Sequence, residues 1–277
     1  MTLLYRRSAR VVVDTIEVVL DPESLDQSLD FAFSVERSLK PEPNNAEIQI
    51  WNLNPDNRSR LEELKEVGCT VEAGYAEKST QIFSGTLRTV YTAQEGSDLV
   101  TNIQSGDGKK QYQQSRVNIS IAKGTSNADA VQKVVKALGI GEGNLVSQKA
   151  KLAATPALFP AGGVLSGSAS QILTRILQSI GFEWSIQEGA LQVLQQKNPL
   201  GPTATLLKSE TGLVGSPSVD SKGILTCQTL MIPEIFPGRL LVLESRRLSG
   251  NYRVEKCVYS GNTAANDWYI DIEAKKI

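Results

Sequence analysis

The fold of this chain is decided by residues 215–277, whose sequence is GSPSVDSKGILTCQTLMIPEIFPGRLLVLESRRLSGNYRVEKCVYSGNTAANDWYIDIEAKKI. Four short apolar runs are predicted to be strands: Gly223–Met231, Arg239–Glu244, Tyr252–Ser260 and Asp267–Ala274. Turn-forming residues separate them at Pro237-Gly238, Ser249-Gly250-Asn251 and Gly261-Asn262. Short strands at fairly regular spacing predict an antiparallel meander in a barrel or a sandwich.

The composition is that of a globular chain with balanced charge. Of its 277 residues, 40% are hydrophobic and 21% are charged, and the formal net charge is -1. Because no excess of basic residues is present to gather phosphates, nucleic acid is disfavoured as the main binding partner. No run approaches the roughly 18 apolar residues of a membrane-spanning helix, and the N-terminus lacks the apolar centre of a signal peptide. We therefore predict neither a membrane span nor secretion.

Histidine is absent from the chain. This removes the commonest general base, the commonest zinc ligand and every Ser-His or Cys-His nucleophile. Cys69, Cys227 and Cys257 lie far apart in apolar runs, which predicts buried free thiols. We predict no catalytic residue, no metal site and no cofactor.

The first hundred or so residues are predicted to form an antiparallel β domain with one helix attached. The run RVVVDTIEVVL at 10–20 is predicted to be a strand, and residues 29–35 place apolar side chains on alternate positions, as a half-buried strand does. A helix is predicted to follow these strands. Its signals are Asn54 as N-cap, Pro55 at the first helical position and Gly68 at the end.

The middle of the chain carries one helix pattern twice, at residues 126–139 and 168–181. Each copy begins with a serine in a capping-box position, continues with an apolar stripe and ends at a glycine. An internal repeat explains the match, and so do two ordinary amphipathic helices. Residues 143–167 are predicted to form a long loop, and Glu188-Gly189 predicts a hairpin turn after the second helix.

Both ends of the chain carry strand and turn motifs that resemble those of a known family. The N-terminal motif is FSVERSLKPEPNNAEIQIWNLNPDNRSRLE at 33–62, followed by a strand that ends at Ala73-Gly74-Tyr75. The C-terminal motifs are PGRLLVLES at 237–245 and NYRVEKCVYSGNTAANDWYIDIEA at 251–274. The chain resembles bacteriophage tail baseplate hub proteins, related to the late control protein D group.

The resemblance implies an α+β, mainly β fold, with two tail-tube-like antiparallel β-barrel domains and an α/β insertion between them. The expected domains are an N-terminal barrel at 1–108, the insertion at 109–197 and a C-terminal barrel at 198–277. Asn266-Asp267-Trp268-Tyr269 then begins a strand that closes the second barrel. We expect Trp268 and Ile270 on one face of this strand and Tyr269 on the other.

The resemblance also implies a structural, non-enzymatic protein of the virion tail baseplate, assembled in the cytoplasm of a bacterial host. In such hubs a homotrimer gives a ring of six similar barrels, which matches a sixfold tail tube on one side and a threefold spike on the other. The implied partners are further copies of the chain, the tail tube protein, the spike protein, and other baseplate and tape-measure proteins. DNA passes through the channel that the ring lines. No fused spike or lysozyme domain is recognised, so the spike is expected to be a separate protein.

Irregular loops that extend from the strands and helices are predicted to contact these partners. The candidate interface residues are Lys40, Pro41, Glu42, Pro43, Phe159, Pro160, Phe236 and Arg239.

Two other classes of function stay open at this point. A tail-associated cell-wall or polysaccharide hydrolase would use paired carboxylates such as Glu183 and Asp267. A carbohydrate-binding module would need exposed aromatic side chains, and its candidate tryptophans are Trp51, Trp184 and Trp268.

Overall fold

A computed structural model of the chain describes residues 5–21, 23, 28–76, 78–107 and 115–277. The chain divides into two compact units. The first, here called the β unit, comprises Met1–Ser38, Asn44–Gly106 and Gly201–Ile277. The second, here called the α/β unit, comprises Leu39–Pro43 and Asp107–Leu200.

The helices and strands are numbered in chain order. They are β1 Arg7–Val13, β2 Ile16–Leu20, β3 Phe31–Ser38, β4 Asn45–Trp51, α1 Pro55–Glu63, β5 Gly68–Tyr75, β6 Lys78–Glu95, β7 Asp98–Gly106, β8 Arg116–Ile121, α2 Asn127–Leu138, α3 Leu145–Ala153, β9 Gly163–Ser168, α4 Ala169–Ser179, β10 Phe182–Gln187, β11 Ala190–Gln195, β12 Ala204–Leu207, β13 Leu213–Val219, β14 Ile224–Leu230, β15 Leu240–Glu244, β16 Ser249–Asn262 and β17 Trp268–Lys276. A short 3-10 helix at Ser209–Thr211 joins β12 to β13.

The β unit is built on one 13-stranded sheet. Its strand order is β13-β14-β17-β16-β3-β4-β7-β6-β5-β1-β2, with β15 on β16 and β12 on β15. The β12–β15 pair is parallel and the other pairs are antiparallel. The predicted fold class, α+β and mainly β, is confirmed.

The two ends of the chain meet in this sheet, at a seam between β16 and β3. The seam runs from the pair Lys256↔Ser38 to the pair Asn262↔Ala32. One hydrophobic core lies beneath both sides of it, and Val35 and Tyr259 are fully buried there. The division into two closed barrels, with domains at 1–108, 109–197 and 198–277, stays a prediction, and its first boundary lies outside the described residues.

The four strands predicted in residues 215–277 are confirmed as β14 to β17. Trp268, Ile270 and Ile272 are buried along β17, whereas Asp271 and Glu273 are exposed. This alternation is the period of two that a strand imposes on its side chains.

Two N-terminal expectations are wrong. Residues 10–20 form the β1–β2 hairpin instead of one strand, because Asp14 takes a positive φ of 54° and reverses the chain. Aspartate tolerates that conformation better than most residues. The helix predicted to end at Gly68 already ends at Glu63, since Leu64 is extended with φ -69° and ψ 139°, and Gly68 begins β5.

The α/β unit packs α2, α3 and α4 on the two-stranded antiparallel sheet β8–β9 and the β10–β11 hairpin around a core of its own. Helices α2 and α4 confirm the two predicted helices, and Glu188 and Gly189, with φ of 55° and 75°, confirm the hairpin turn. The expected long loop at 143–167 is wrong, because it contains α3 and β9. Asn144 fixes the start of α3 with two side-chain hydrogen bonds to Val193, of 2.8 and 2.7 Å.

The two predicted capping boxes behave differently. Ser126 Oγ accepts a 3.1 Å hydrogen bond from the Asp129 N–H and donates a 2.7 Å hydrogen bond to the Asp129 carboxylate. Ser168 precedes α4 without any side-chain cap, and its Oγ lies 3.0 Å from Ser170 Oγ. The second predicted capping box is therefore wrong.

This difference makes a matched pair of substitutions informative. Ser126→Ala is expected to lower the free energy of unfolding by about 1 kcal/mol, because α2 loses its N-cap. Ser168→Ala is expected to change it by less than about 0.5 kcal/mol. Urea denaturation followed by circular dichroism measures both.

The Ser126→Ala effect is also expected to depend on pH. The hydrogen bond from Ser126 lowers the pKa of the Asp129 carboxyl below its usual value. A second hydrogen bond, from the Lys149 ammonium, lowers it further. A lowered carboxyl pKa contributes stability above the unfolded-state pKa, and that contribution is lost as the pH falls through the folded-state pKa. The deficit of Ser126→Ala should shrink in acid, and equal deficits for both serine variants at neutral pH would contradict the capping assignment.

The three cysteines are buried free thiols, as predicted. Burial raises the pKa of Cys69 to about 11 and the pKa values of Cys227 and Cys257 to about 12. Cys227 and Cys257 both pair in register with Ile272, on opposite sides of β17. Two strand spacings of roughly 5 Å separate their backbones, too far for a disulfide.

Candidate assembly interfaces

The predicted interface residues Lys40 to Pro43 lie in the connection between β3 and β4. Lys40 and Glu42 are exposed, whereas Pro41 and Pro43 are half-buried. The Glu42 N–H donates a 2.8 Å hydrogen bond to the Lys40 carbonyl, which tightens the turn. The two prolines restrict φ, so the segment presents its two charges with little backbone freedom.

Pro41 also borders a groove within the α/β unit. The groove has a volume of about 630 Å3, and its other lining residues belong to α4: Gln171, Thr174, Arg175, Gln178 and Ser179. Arg175 and Gln178 are exposed. The groove is wide, and its α4 residues are not among the predicted interface residues.

Phe159 and Pro160 lie between α3 and β9. Phe159 is half-buried against the core of the α/β unit, and Pro160 is exposed. The buried Asn127 side chain donates to the Pro156 carbonyl at 2.9 Å and accepts from the Leu158 N–H at 3.1 Å. Asn127 therefore holds this segment in place, a role that gives no signal in sequence periodicity.

Phe236 and Arg239 lie in the β14–β15 connection, and the structure brings them together. The Arg239 guanidinium carbon lies 5.6 Å from the centroid of the Phe236 ring, within the range of a cation–π contact. The Arg239 N–H donates a 3.0 Å hydrogen bond to the Phe236 carbonyl, which closes a turn. Both side chains are half-buried.

The outward side of the sheet forms a surface that we call the polar face. Its residues lie in register across neighbouring strands: Ser260 pairs with Ser34 across the seam, and Ser34 pairs with Glu47 on the next strand. The polar face consists of Ser34, Glu36, Glu47, Gln49, Asn102, Gln104, Lys256, Ser260, Asp271 and Glu273, each exposed or half-buried, with half-buried Val258 and Tyr269 among them. The inward residues of the same strands form the core, so the face follows from strand alternation.

Carboxylates outnumber cations on the polar face. It carries Glu36, Glu47, Asp271 and Glu273 against Lys256, and Lys275 follows Glu273 on the same side of β17. The ammonium of Lys256 lies 2.9 Å from the Glu36 carboxylate. At the margin, the guanidinium of Arg88 donates a 2.6 Å hydrogen bond to Asn45. The surface is therefore polar with a negative surplus, and composition alone does not reveal this because the net charge of the chain is -1.

The structure gives the positions of the residues proposed for a hydrolase and for a carbohydrate-binding module. Glu183 lies in β10 of the α/β unit and Asp267 lies in the β unit, next to β17. Trp184 and Trp268 are buried and Trp51 is half-buried.

Within the described ranges no group of three or more metal-ligating side chains occurs. The described helices include none that is long and apolar enough to cross a membrane.

The sequence matches a family model described as Baseplate hub gp41 over residues 10–274. The chain belongs to the baseplate hub gp41 family. A structural role in the tail baseplate of a virion follows from that membership, and the family resemblance seen in the sequence is confirmed. No protein with a curated description matches this hub in sequence.

Solved structures share the fold of the hub at low identity. The prophage MuSo2 43 kDa tail protein from Shewanella oneidensis has a TM-score of 0.66 at 9% identity, over 98% of this chain and 97% of that one. A tail protein from Neisseria meningitidis MC58 has a TM-score of 0.66 at 12% identity, with the same coverage of 98% and 97%.

A third neighbour comes from a secretion system. The E. coli c3393 protein, described as a component of the type VI secretion system with similarity to T4 tail proteins gp27 and gp5, has a TM-score of 0.60 at 9% identity. The match covers 96% of this chain and 76% of that one. At these identities the likeness establishes a shared fold.

Proposed function

We propose that three copies of this hub form a non-enzymatic ring that joins a sixfold tail tube to a threefold spike. The observation that carries the proposal is the seam between β16 and β3. It sets the C-terminal strands β14, β17 and β16 beside the N-terminal strands β3, β4 and β7 in one continuous sheet. Two neighbouring strand sets in each chain give six in a trimer, which is the number that a sixfold tube requires.

In this proposal the polar face lines the central channel. DNA carries about one negative charge per 1.7 Å of helix axis and binds surfaces that offer lysine and arginine. The polar face instead presents Glu47, Asp271 and Glu273, and its Lys256 is already paired with Glu36. A wall with this charge lets a polyanion pass without holding it.

The remaining partners meet the ring through the predicted interface residues. The segment from Lys40 to Pro43 and the pair Phe159-Pro160 offer rigid, partly exposed loops to the spike, the tube and other baseplate or tape-measure proteins. Phe236 and Arg239 offer an aromatic and a cationic group, both common in interface hot spots. The ring assembles in the bacterial cytoplasm before DNA reaches it.

Co-expression with the tube and spike proteins of the same virus tests this proposal. A tagged chain is expected to purify with both partners, as three hub chains per spike trimer in native mass spectrometry. Lys40→Glu/Glu42→Lys, which exchanges two exposed charges and keeps the net charge, is expected to weaken one partnership without lowering Tm. Glu62→Lys/Glu63→Lys on α1 is the surface control. A chain that stays monomeric and purifies with neither partner contradicts the proposal.

A further inference from the structure

A cleft in the β unit surrounds Arg239. It has a volume of about 380 Å3, and its walls are β12, the 3-10 helix after it, the β14–β15 connection, the end of β5 and the start of β6. That volume is at the lower end of the range for pockets that bind small groups, roughly 300 to 1,000 Å3. It is large enough for one or two side chains.

The cleft contains a guanidinium without a counter-ion. Among the described residues, Arg239 Nε is a buried side-chain nitrogen without a hydrogen-bond partner, and no ion pair is formed by its guanidinium. The two carboxylates in the cleft are paired elsewhere, Glu234 with Lys78 and Glu210 with Lys208 at 3.9 Å. Lys78, Arg239, Glu210 and Glu234 give the lining a formal charge of zero, but neither carboxylate forms an ion pair with Arg239.

Holding an arginine in this state costs stability. A buried donor without a partner costs roughly 1–3 kcal/mol. Backbone hydrogen bonds position the main chain of Arg239, and the contact with the Phe236 ring orients its guanidinium. A guanidinium that is fixed in advance matches the geometry of a carboxylate, which it binds through two parallel hydrogen bonds.

Part of the cleft lining is apolar. Leu206 is 40% exposed although it borders the cleft, and Met231, Ile232 and Pro233 continue the apolar surface. A fixed arginine beside an apolar wall, with polar groups at the rim, is the arrangement of an interface hot spot. The complementary ligand carries a bulky apolar group next to a carboxylate.

We infer that the Arg239 cleft is a docking site for a polypeptide segment of a partner protein, in which an aspartate or glutamate follows a bulky apolar residue. The carboxylate pairs with Arg239, and the apolar side chain lies on Leu206 and Ile232. The choice of a protein partner rests on the proposed hub function, whereas the chemistry of the ligand rests on the charge and lining of the cleft.

Peptide selection with the full chain tests this inference. The probe is a displayed library of short random peptides. Selected peptides are expected to share an acidic residue next to a bulky apolar one. A fluorescein-labelled selected peptide is expected to bind Arg239→Met at least about tenfold more weakly than wild type, and an amide in place of its carboxylate should cause a similar loss. Arg247→Met, which removes an exposed arginine outside the cleft, should leave binding unchanged.

The stability of Arg239→Met separates docking from a structural role. Methionine keeps a long side chain and removes the unpaired donor, so Tm is expected to stay unchanged or to rise. A lower Tm, the absence of selected peptides, or equal binding by both variants would overturn the inference. The selection uses the isolated hub, so it can fail while the hub still purifies with tube and spike, and it can succeed when the hub purifies with neither.

Discussion

Trp268→Ala is expected to destabilise the β unit by about 3–5 kcal/mol, because it removes a large buried side chain and leaves a cavity. Trp268 is 1% exposed. Its indole N–H donates a 3.1 Å hydrogen bond to the Gly74 carbonyl at the end of β5, and its ring meets Phe33 edge to face at 5.6 Å. One side chain therefore connects β17 to both β3 and β5.

Arg7 adds a fourth strand to this cluster. Its guanidinium carbon lies 5.4 Å from the centroid of the Trp268 ring. The same guanidinium donates hydrogen bonds to the Ala265 carbonyl at 2.6 Å and the Asn266 carbonyl at 3.0 Å. The N-terminal strand β1 is thus fixed to the turn before β17, so the loss of Trp268 affects both ends of the chain.

Guanidinium denaturation measures the Trp268→Ala effect. Trp268→Phe keeps an aromatic ring but loses the hydrogen bond to Gly74, so its cost should be clearly smaller, about 1–2 kcal/mol. Tyr91→Ala is the surface control, since Tyr91 is 49% exposed, and its effect should stay within about 0.5 kcal/mol. An unchanged unfolding midpoint for Trp268→Ala would show that this cluster does not hold the two ends together.

Glu47→Lys/Asp271→Lys is expected to reduce plaque titre about tenfold or more, because the polar face, as the proposed channel wall, would then bind the phosphates of passing DNA. Both residues are exposed on the polar face, on opposite sides of the seam. The substitutions convert its negative surplus into a positive one. Electron microscopy should show tails in normal numbers, since neither side chain is in the core.

Two matched variants define the cause of that loss. Glu47→Gln/Asp271→Asn removes the negative charges without adding positive ones, and its titre should lie between those of wild type and the lysine variant. Glu62→Lys/Glu63→Lys adds the same charge on α1, away from the polar face, and should leave the titre unchanged. A normal titre for the lysine variant would indicate that the polar face does not meet DNA.

Local periodicity is sufficient to predict much of the fold. Alternating apolar residues predict β14 to β17, and the Glu188-Gly189 turn predicts the β10–β11 hairpin, because both signals lie within a few residues. In the same region a glycine does not by itself predict a turn. Gly261, a predicted turn residue, lies inside β16, where a Cβ would overlap the Phe33 ring and lie 2.9 Å from Trp268.

The parts that sequence reasoning misses depend on contacts between distant residues. The seam joins residues near 35 to residues near 259, and no local pattern encodes such a pairing. The same holds for Asn144, whose hydrogen bonds to Val193 fix the start of α3. Among the interface candidates, a cationic side chain near a turn suggests Arg239, but only the surrounding ion pairs show that its charge has no counter-ion within the described residues.

Electron cryo-microscopy of the assembled tail tests the central claim most directly. The proposal predicts one ring of three hub chains between the end of the tail tube and the spike, with the polar face turned toward the axis. One or six chains per tail, or density for the chain at the periphery of the baseplate, would contradict it.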